Sequence, residues 1–269
     1  MTLVKLNQVN LNYKVVGKGE AVIFLHGFTG SGMDWSNQMK VVKNKYRGIA
    51  LDFRGHGKSE APTKEKDYSI YLNGEDVYRL LNHLGIGRCC LVGHSMGGFT
   101  ALQFALDHPE MVRGLVLVDT SSGEWDIIPG YAELRAKLDE LARTKGLEAA
   151  FAYDAANNPI RIQRFQKQPE QREIARQKTI NTSVYGYIYV PRSFGKWKPV
   201  TQRLGEIKVP TIIFRGEEDL GFVRASNILK ESIKGAELVV VPEAYHNPHE
   251  ESPAFFNEIF LKFLSAIKW

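Results

Sequence analysis

Residues 93–98, with the sequence Gly-His-Ser-Met-Gly-Gly, follow the apolar run Cys-Cys-Leu-Val at 89–92 and precede a segment with helical spacing. This pattern predicts a sharp turn between a buried strand and a helix, with Ser95 at the turn in strained backbone angles. Gly93 and Gly97 need to be small, because a side chain at either position would clash with the turn. The helix would direct its N-terminal N–H groups toward the site. We therefore interpret Ser95 as a candidate nucleophile rather than a loop serine.

Apolar runs and helical segments alternate along most of the chain. Runs such as Ala-Val-Ile-Phe-Leu at 21–25 are continuous, which is typical of strands covered on both faces. Residues 4–16 indicate two short strands or a hairpin. The strand-like runs lie at 21–25, 48–51, 89–92, 115–118, 211–214 and 238–241, and the helical segments at about 69–85, 96–107, 223–233 and 253–267. This alternation predicts an α/β fold with a mainly parallel, doubly wound sheet.

The interval from residue 121 to 208 interrupts the alternation. It contains a strand-like apolar run only at 184–190, whereas residues 131–152 are rich in Ala, Leu, Glu, Lys and Arg, which favour a helix. We interpret an insertion of this length between two late strands as a lid. The predicted organisation is a core of residues 1–120 and 209–269, with residues 121–208 forming a mainly helical cap.

Composition and cysteine usage limit the classes to which the protein can belong. The chain has 269 residues, 43% of them hydrophobic, which is enough to bury a substantial core. No apolar stretch approaches the ~18 residues of a membrane span, and the first residues show no signal-peptide pattern. Cys89 and Cys90 are adjacent, so a disulfide between them would be strained, and buried reduced thiols are expected. We therefore expect a cytoplasmic protein without a membrane partner.

The positive charge is concentrated in one part of the chain. The net charge is +5, and +4 of it lies between residues 121 and 200, which hold 13 Lys and Arg against 9 Asp and Glu. Acidic residues separate the basic ones and no nucleic-acid-binding motif is present, so nucleic acid is not an expected partner. The positive charge of this segment instead favours a small-molecule substrate that is negatively charged.

Two further candidates for catalysis follow late strand-like runs. Asp219 comes just after the run at 211–214, and His246 just after the run at 238–241. The carboxyl ends of parallel strands meet at one edge of a sheet, where open parallel sheets build their sites. The chain order Ser, Asp, His also occurs in serine hydrolases with a strand–turn–helix nucleophile. These residues predict His246 as a general base and Asp219 as the acid that orients it.

A glycine-rich loop, His-Gly-Phe-Thr-Gly-Ser-Gly at 26–32, follows the first buried run. Such a loop can turn backbone N–H groups into a site. The N–H groups of Phe28 and Met96 are therefore candidates for stabilising an oxyanion. No Lys-Ser or Lys-Thr follows the loop, which excludes a P-loop, and a plain structural turn remains the alternative.

Five motifs together resemble those of the α/β-hydrolase superfamily, and they cover nearly the whole chain. They are His-Gly-Phe at 26–28, Asp-Phe-Arg-Gly-His-Gly-Lys-Ser at 52–59, residues 93–98, Gly-x-x-Asp at 216–219, and His246 followed by Glu-x-Pro at 251–253. By this resemblance Ser95, Asp219 and His246 form a catalytic triad, with Phe28 and Met96 as oxyanion donors and residues 121–208 as the family's cap. The resemblance implies no cofactor, and the sequence contains no Cys/His cluster for a metal.

Several residues are rivals to these assignments or candidate contacts of a substrate. His249 is a rival base three residues after His246, and Asp119, which ends another strand, is a rival acid. His94 is expected to pack beside the nucleophile without facing it. The candidate substrate contacts are Trp35, Trp125, Arg161 and Arg164. Against these, aromatic residues are more often part of a core, and the arginines, with Arg172 and Arg176, would otherwise lie on solvated helix faces.

The favoured function is that of a serine carboxylesterase acting on a small or medium ester. A carbon–carbon bond hydrolase of ring-fission diketones would use the same triad, although those enzymes usually carry Asn where this chain has His94. A menaquinone-pathway lyase of this fold resembles the chain at residues 27–35, but differs at His94 and Phe99. A ligand-binding sensor with little turnover is a further alternative. The expected partner is a small-molecule ester or ketone, and a homo-oligomer is compatible with the sequence.

Overall fold

One mixed eight-stranded sheet forms the centre of the computed structural model, which describes residues 2–6, 8–124 and 129–269. The strands are β1 (Thr2–Leu6), β2 (Val9–Val16), β3 (Ala21–Leu25), β4 (Arg47–Leu51), β5 (Cys89–His94), β6 (Val112–Val118), β7 (Thr211–Gly216) and β8 (Glu237–Val241). Their order across the sheet is β1-β2-β4-β3-β5-β6-β7-β8. The β1–β2 and β2–β4 pairs are antiparallel, and the other neighbours are parallel. The predicted mainly parallel sheet is confirmed.

Helices alternate with these strands. Within the described residues they are α1 (Ser36–Val42), α2 (Ile70–His83), α3 (Met96–Asp107), α4 (Tyr131–Lys145), α5 (Leu147–Asn157), α6 (Pro159–Lys167), α7 (Glu170–Ile180), α8 (Val184–Phe194), α9 (Val223–Ser232), α10 (Pro248–Glu251) and α11 (Pro253–Ala266). Helices α4 to α8 all lie between β6 and β7 in the chain. The predicted helical insertion between two late strands is confirmed.

The sheet is covered on both faces, as its continuous apolar runs predict. On one face Leu80 of α2, Leu102 of α3 and Leu229 of α9 belong to one buried cluster. On the other face Val42 of α1 and Phe260 of α11 belong to a second cluster. All five residues of β3 are buried, because a central strand with helices on both sides has no solvent-facing side.

Local signals set the ends of several helices. Ser69 Oγ accepts a hydrogen bond from Leu72 N at 3.0 Å at the start of α2, and Gly85, with φ +66°, follows its end. The strand-like run at 184–190 is helical instead, as part of α8. Helix α8 begins where Ser183 Oγ accepts a hydrogen bond from Gly186 N at 2.9 Å. Tyr187 and Ile188 share a buried cluster with residues of α4 and α5, whereas Val190 belongs to the cluster that covers one face of the sheet.

Helices α4, α5 and α8 share a small apolar core of their own. Leu138, Leu141 and Ala150 are buried there with Tyr187. Hydrogen bonds tie the inserted segment to the rest of the chain. For example, Trp197 Nε1 donates to Gln103 Oε1 at 2.8 Å. The segment therefore has its own packing and a defined position over the sheet.

Cys89 and Cys90 are free and buried in β5, as predicted. Among residues 2–6, 8–124 and 129–269, none of the helices has the length and apolar character needed to cross a bilayer.

Candidate active site

Ser95 occupies the predicted turn between β5 and α3. Its φ is +49°, a left-handed value that is rare for a residue with a side chain, and its N–H donates to Val118 O at 2.9 Å. A Cβ added at Gly93 would lie 2.3 Å from Gly97 O, and one added at Gly97 would lie 2.1 Å from Leu25 O. Both positions therefore require glycine. The predicted strand–turn–helix geometry is confirmed.

His246 and Asp219 form a hydrogen-bonded pair beyond the ends of β8 and β7. His246 Nδ1 donates to Asp219 Oδ2 at 2.7 Å, and the two side chains are 33% and 14% exposed. Burial by itself would raise the pKa of Asp219. The charge and hydrogen bond of His246, with a hydrogen bond from Asp119, instead hold that pKa below its ordinary value. Asp219 is therefore an ionised acceptor that selects one tautomer of the imidazole.

The loop that carries His246 is held from both sides. Glu251 Oε2 accepts from Tyr245 N at 2.6 Å, and its Oε1 accepts from Asn247 N at 3.3 Å. His94 Nε2 donates to the backbone oxygen of His246 at 2.6 Å. His94 thus supports this loop, but it also lines a cavity together with Ser95 and His246, so the expectation that it does not face the site is not supported. Burial, followed by the charges of neighbouring histidines, lowers its pKa well below the usual value, so it stays neutral.

Asp119, the rival acid, lies next to Asp219. Its carboxyl is fully buried, and Gly216 N donates to Oδ1 at 3.1 Å and to Oδ2 at 3.3 Å. Potential ligand atoms of Asp119, Asp219 and His246 lie within 4.8 Å of one another. Because the His246 Nδ1 hydrogen bond goes to Asp219, this closeness reflects a hydrogen-bonded network, and we assign no metal to it.

His249, the rival base, lies in the core. Its ring is fully buried and stacks on the Trp35 ring, with centroids 4.1 Å apart. Burial, together with the charges of Lys178 and His246, lowers the pKa of His249 well below the usual value. A ring in this stack has no route to a substrate proton. This placement does not support His249 as the base.

A cavity of 310 Å³ brings the candidate residues together. Ser95, Asp219 and His246 line it, and so does Phe28. Its apolar wall comes from both the sheet side and the inserted helices. The residues of that wall include Phe99, Tyr131, Ile160, Ile174, Phe194 and Phe222. The cavity can therefore hold a small apolar group against the Ser95 hydroxyl.

The oxyanion candidates are positioned by the same elements. Phe28 lies in the loop after β3, and a Cβ added at the neighbouring Gly27 would lie 3.4 Å from Ser95 Cβ. The loop therefore runs directly beside the serine. Met96 is the first residue of α3, where a backbone N–H has no acceptor within the helix.

Two of the four candidate substrate contacts line the cavity, namely Arg161 and Arg164. Arg161 Nε donates to Asp154 Oδ2 at 3.2 Å, and its side chain is 25% exposed. Arg164 is buried, pairs with Glu251 and donates to Gln171 Oε1 at 2.9 Å. Both guanidinium groups come from α6.

The other two candidates have different outcomes. Trp35 is fully buried beside Phe24 and His249 and is not among the residues that line the cavity, so its placement does not support a substrate contact. Trp125 lies outside the residues that the structure describes.

Arg172 is exposed on α7, and Arg176 of the same helix pairs at the surface with Glu148 and Glu173.

Lys178 is a cavity residue that no sequence pattern singles out. From α7 it reaches the core, where its Nζ lies 3.2 Å from Asp34 Oδ2 and also pairs with Glu250. No motif surrounds it, since its role depends on helix α7 folding back over the loop after β3. Glu251 was part of a recognised motif, and only the structure shows that it supports the His246 loop.

Comparisons with known proteins agree with this geometry. Residues 20–253 match the family model described as alpha/beta hydrolase fold. A putative 2-succinyl-6-hydroxy-2,4-cyclohexadiene-1-carboxylate synthase from Bacillus subtilis is 29% identical, over 96% of each chain. A 2-hydroxy-6-oxo-6-phenylhexa-2,4-dienoate hydrolase from Comamonas testosteroni is 31% identical, over 96% of this chain and 92% of that protein.

Solved structures extend the same likeness. A thermophilic esterase from Thermogutta terrifontis, solved with malate bound, superposes with a TM-score of 0.84 at 25% identity. The superposition covers 98% of this chain and 97% of the esterase. The sheet order, the turn at Ser95, the match over residues 20–253 and these relatives together show that the chain belongs to the α/β-hydrolase family.

Proposed function

We propose that the protein is a serine carboxylesterase that cleaves small or medium esters through an acyl-enzyme on Ser95. The observation that carries this proposal is that Ser95, at a strained strand–helix turn, lines one cavity with the His246–Asp219 pair. In this proposal residues 1–120 and 209–269 form the core, and residues 121–208 form a cap that closes the cavity.

The reaction begins with transfer of the Ser95 proton to His246 as Ser95 Oγ bonds to the ester carbonyl carbon. The carbonyl electron pair moves onto oxygen, and the N–H groups of Phe28 and Met96 stabilise that oxyanion. Collapse of the intermediate breaks the ester C–O bond, and His246 returns the proton to the departing alcohol. Water, deprotonated by His246, then attacks the acyl carbon. The bond from that carbon to Ser95 Oγ breaks, His246 returns the proton to Oγ, and the acid is released. Asp219 stabilises the imidazolium in both steps.

The cationic side chains of the cavity favour an ester that also carries a carboxylate. Arg164 and Lys178 are already paired with carboxylates of the core. Arg161 Nε donates a hydrogen bond to Asp154, and the planar guanidinium has further N–H donors on both terminal nitrogens. A substrate carboxylate could therefore be bound by Arg161 in a charge-assisted contact.

Arg161→Ala is expected to reduce the preference for a carboxylated ester over its neutral analogue by about 1–3 kcal/mol. The measurement is kcat/KM for both esters at low and high salt, since salt screens this attraction. Arg172→Ala is the matched control, because Arg172 is exposed on α7 and is not among the cavity-lining residues. A wild-type enzyme that prefers the neutral ester at every salt concentration would show that Arg161 binds no substrate anion.

Carbon–carbon bond cleavage is the second candidate, and the 31% identical hydrolase from Comamonas testosteroni favours it. A ring-fission diketone carries a carboxylate that suits the same contact with Arg161. The lyase alternative has support in the relative from Bacillus subtilis. Assaying p-nitrophenyl esters of increasing chain length beside a ring-fission diketone separates the candidates. Faster turnover of the diketone would replace the esterase proposal, and no turnover of any substrate would favour the sensor.

A further inference from the structure

Asp119 is a buried carboxyl that the ester mechanism above does not use. It directly follows β6, and its side chain is fully buried. Its φ is +39°, and its N–H donates to Phe214 O at 2.9 Å. A non-glycine residue in left-handed backbone costs about 1–3 kcal/mol, so the surrounding structure must hold Asp119 in this position.

A carboxyl oxygen of Asp119 lies within 4.8 Å of one of Asp219, and Gly216 N donates to both oxygens of Asp119. Repulsion between two carboxylates this close in a dry site disfavours the state in which both are ionised. The pair therefore favours holding one proton. Asp219 already faces His246 Nδ1, whereas Asp119 faces no cationic side chain at hydrogen-bond distance among the residues that the structure describes.

The environment places that proton on Asp119. Burial raises its pKa well above the ordinary value, and the charge and hydrogen bond of Asp219 raise it further. The backbone N–H of Gly216 and the charge of Arg215 oppose this rise without reversing it. The pKa of Asp219 is held low, chiefly by His246 against its own burial. The more distant Arg164 also interacts with Asp219.

We propose that Asp119 is a positioning residue whose protonated carboxyl donates a hydrogen bond to Asp219, orienting Asp219 toward His246 and limiting how firmly His246 holds a proton. This proposal rests on the proposed roles of Asp219 and His246. Without the donated hydrogen bond, Asp219 would carry a less dispersed negative charge. The imidazolium of His246 would then be stabilised more strongly relative to the neutral base.

The test compares Asp119→Asn with Asp119→Leu. The Asn amide can donate to Asp219 while its carbonyl accepts from Gly216 N, so kcat/KM should stay within about tenfold of wild type with the same acid limb. Leu is similar in size to Asp but has no hydrogen-bond donor. In Asp119→Leu the acid limb of the pH profile of kcat/KM should therefore move upward by about one pH unit. NMR titration of the His246 ring, in protein with isotope-labelled histidine, should show the same shift without any substrate.

Three results would overturn the proposal. A loss beyond about 100-fold in Asp119→Asn would show that an ionised Asp119 acts on His246. An unshifted His246 titration in Asp119→Leu would show that the hydrogen bond has no influence. If Asp119→Leu does not fold in thermal unfolding, a shifted His246 titration in Asp119→Asn would contradict the proposal.

Asp107→Asn, on the exposed end of α3, controls for the loss of a carboxylate. Its His246 titration should match that of the wild type. If no tested substrate is hydrolysed, the proposed function fails, whereas the NMR titrations still decide the role of Asp119.

Discussion

Ser95→Ala is expected to lower kcat/KM for p-nitrophenyl esters by about 10⁴-fold or more. The triad acts as a unit, so removal of the nucleophile leaves only the contribution of the oxyanion donors and of substrate binding. The variant should also lose covalent labelling by an organophosphonate, which can be followed by mass spectrometry of the intact protein. Its fold should persist, since alanine lacks only the hydroxyl and the turn depends on Gly93 and Gly97.

Ser121→Ala is the matched control for this variant. Ser121 is a buried serine shortly after β6, and it is not among the residues that line the cavity. Its activity and labelling should match those of the wild type. Labelling that persists in folded Ser95→Ala protein would place the nucleophile at another residue and overturn the proposed mechanism.

His246→Ala is expected to cost about as much as loss of the serine, roughly 10⁴-fold in kcat/KM. His249→Phe should cost less than about tenfold, because Phe can keep the stack on Trp35. The two histidines are three positions apart, so the comparison separates a base that faces the cavity from a ring in the core. Steady-state kinetics with one ester, and thermal unfolding of both variants, complete the measurement.

The opposite order, with His249→Phe inactive and His246→Ala active, would show that the base is misassigned. Imidazole in the buffer provides a further check. A small base that enters the cavity left by His246→Ala should restore part of the activity. It should not affect Ser95→Ala, which lacks the nucleophile rather than the base.

Much of this fold was predictable from local pattern. The continuous run at 21–25 indicates a strand buried on both faces, and Ser69 and Gly85 bracket a helix. The spacing of Gly93, Ser95 and Gly97 predicts the turn, and a Cβ at Gly93 would clash with backbone nearby in the chain. At Gly97 the clash is with Leu25 O of β3, which only the tertiary structure brings close. Local sterics, hydrogen bonding and hydrophobic periodicity act over a few residues, and a single sequence contains all the information they need.

The neighbours of the candidate site depend on tertiary packing. Asp119 and Asp219 are 100 residues apart in the chain, and only the pairing of β6 with β7 brings their carboxyls together. The same dependence separates His246 from His249. The ring of His246, in the loop before α10, hydrogen-bonds to Asp219, whereas the ring of His249, within α10, stacks on Trp35.

The inserted helices show the limit of sequence patterns most clearly. The apolar run at 184–190 fits a strand or a buried helix equally well, and packing against α4 and α5 decides for the helix. Arg161 and Arg164 line the cavity while Arg172 is exposed, although all three occur in similar polar surroundings in the sequence. Contacts with distant parts of the chain decide which face of a helix is covered. Local composition does not predict those contacts.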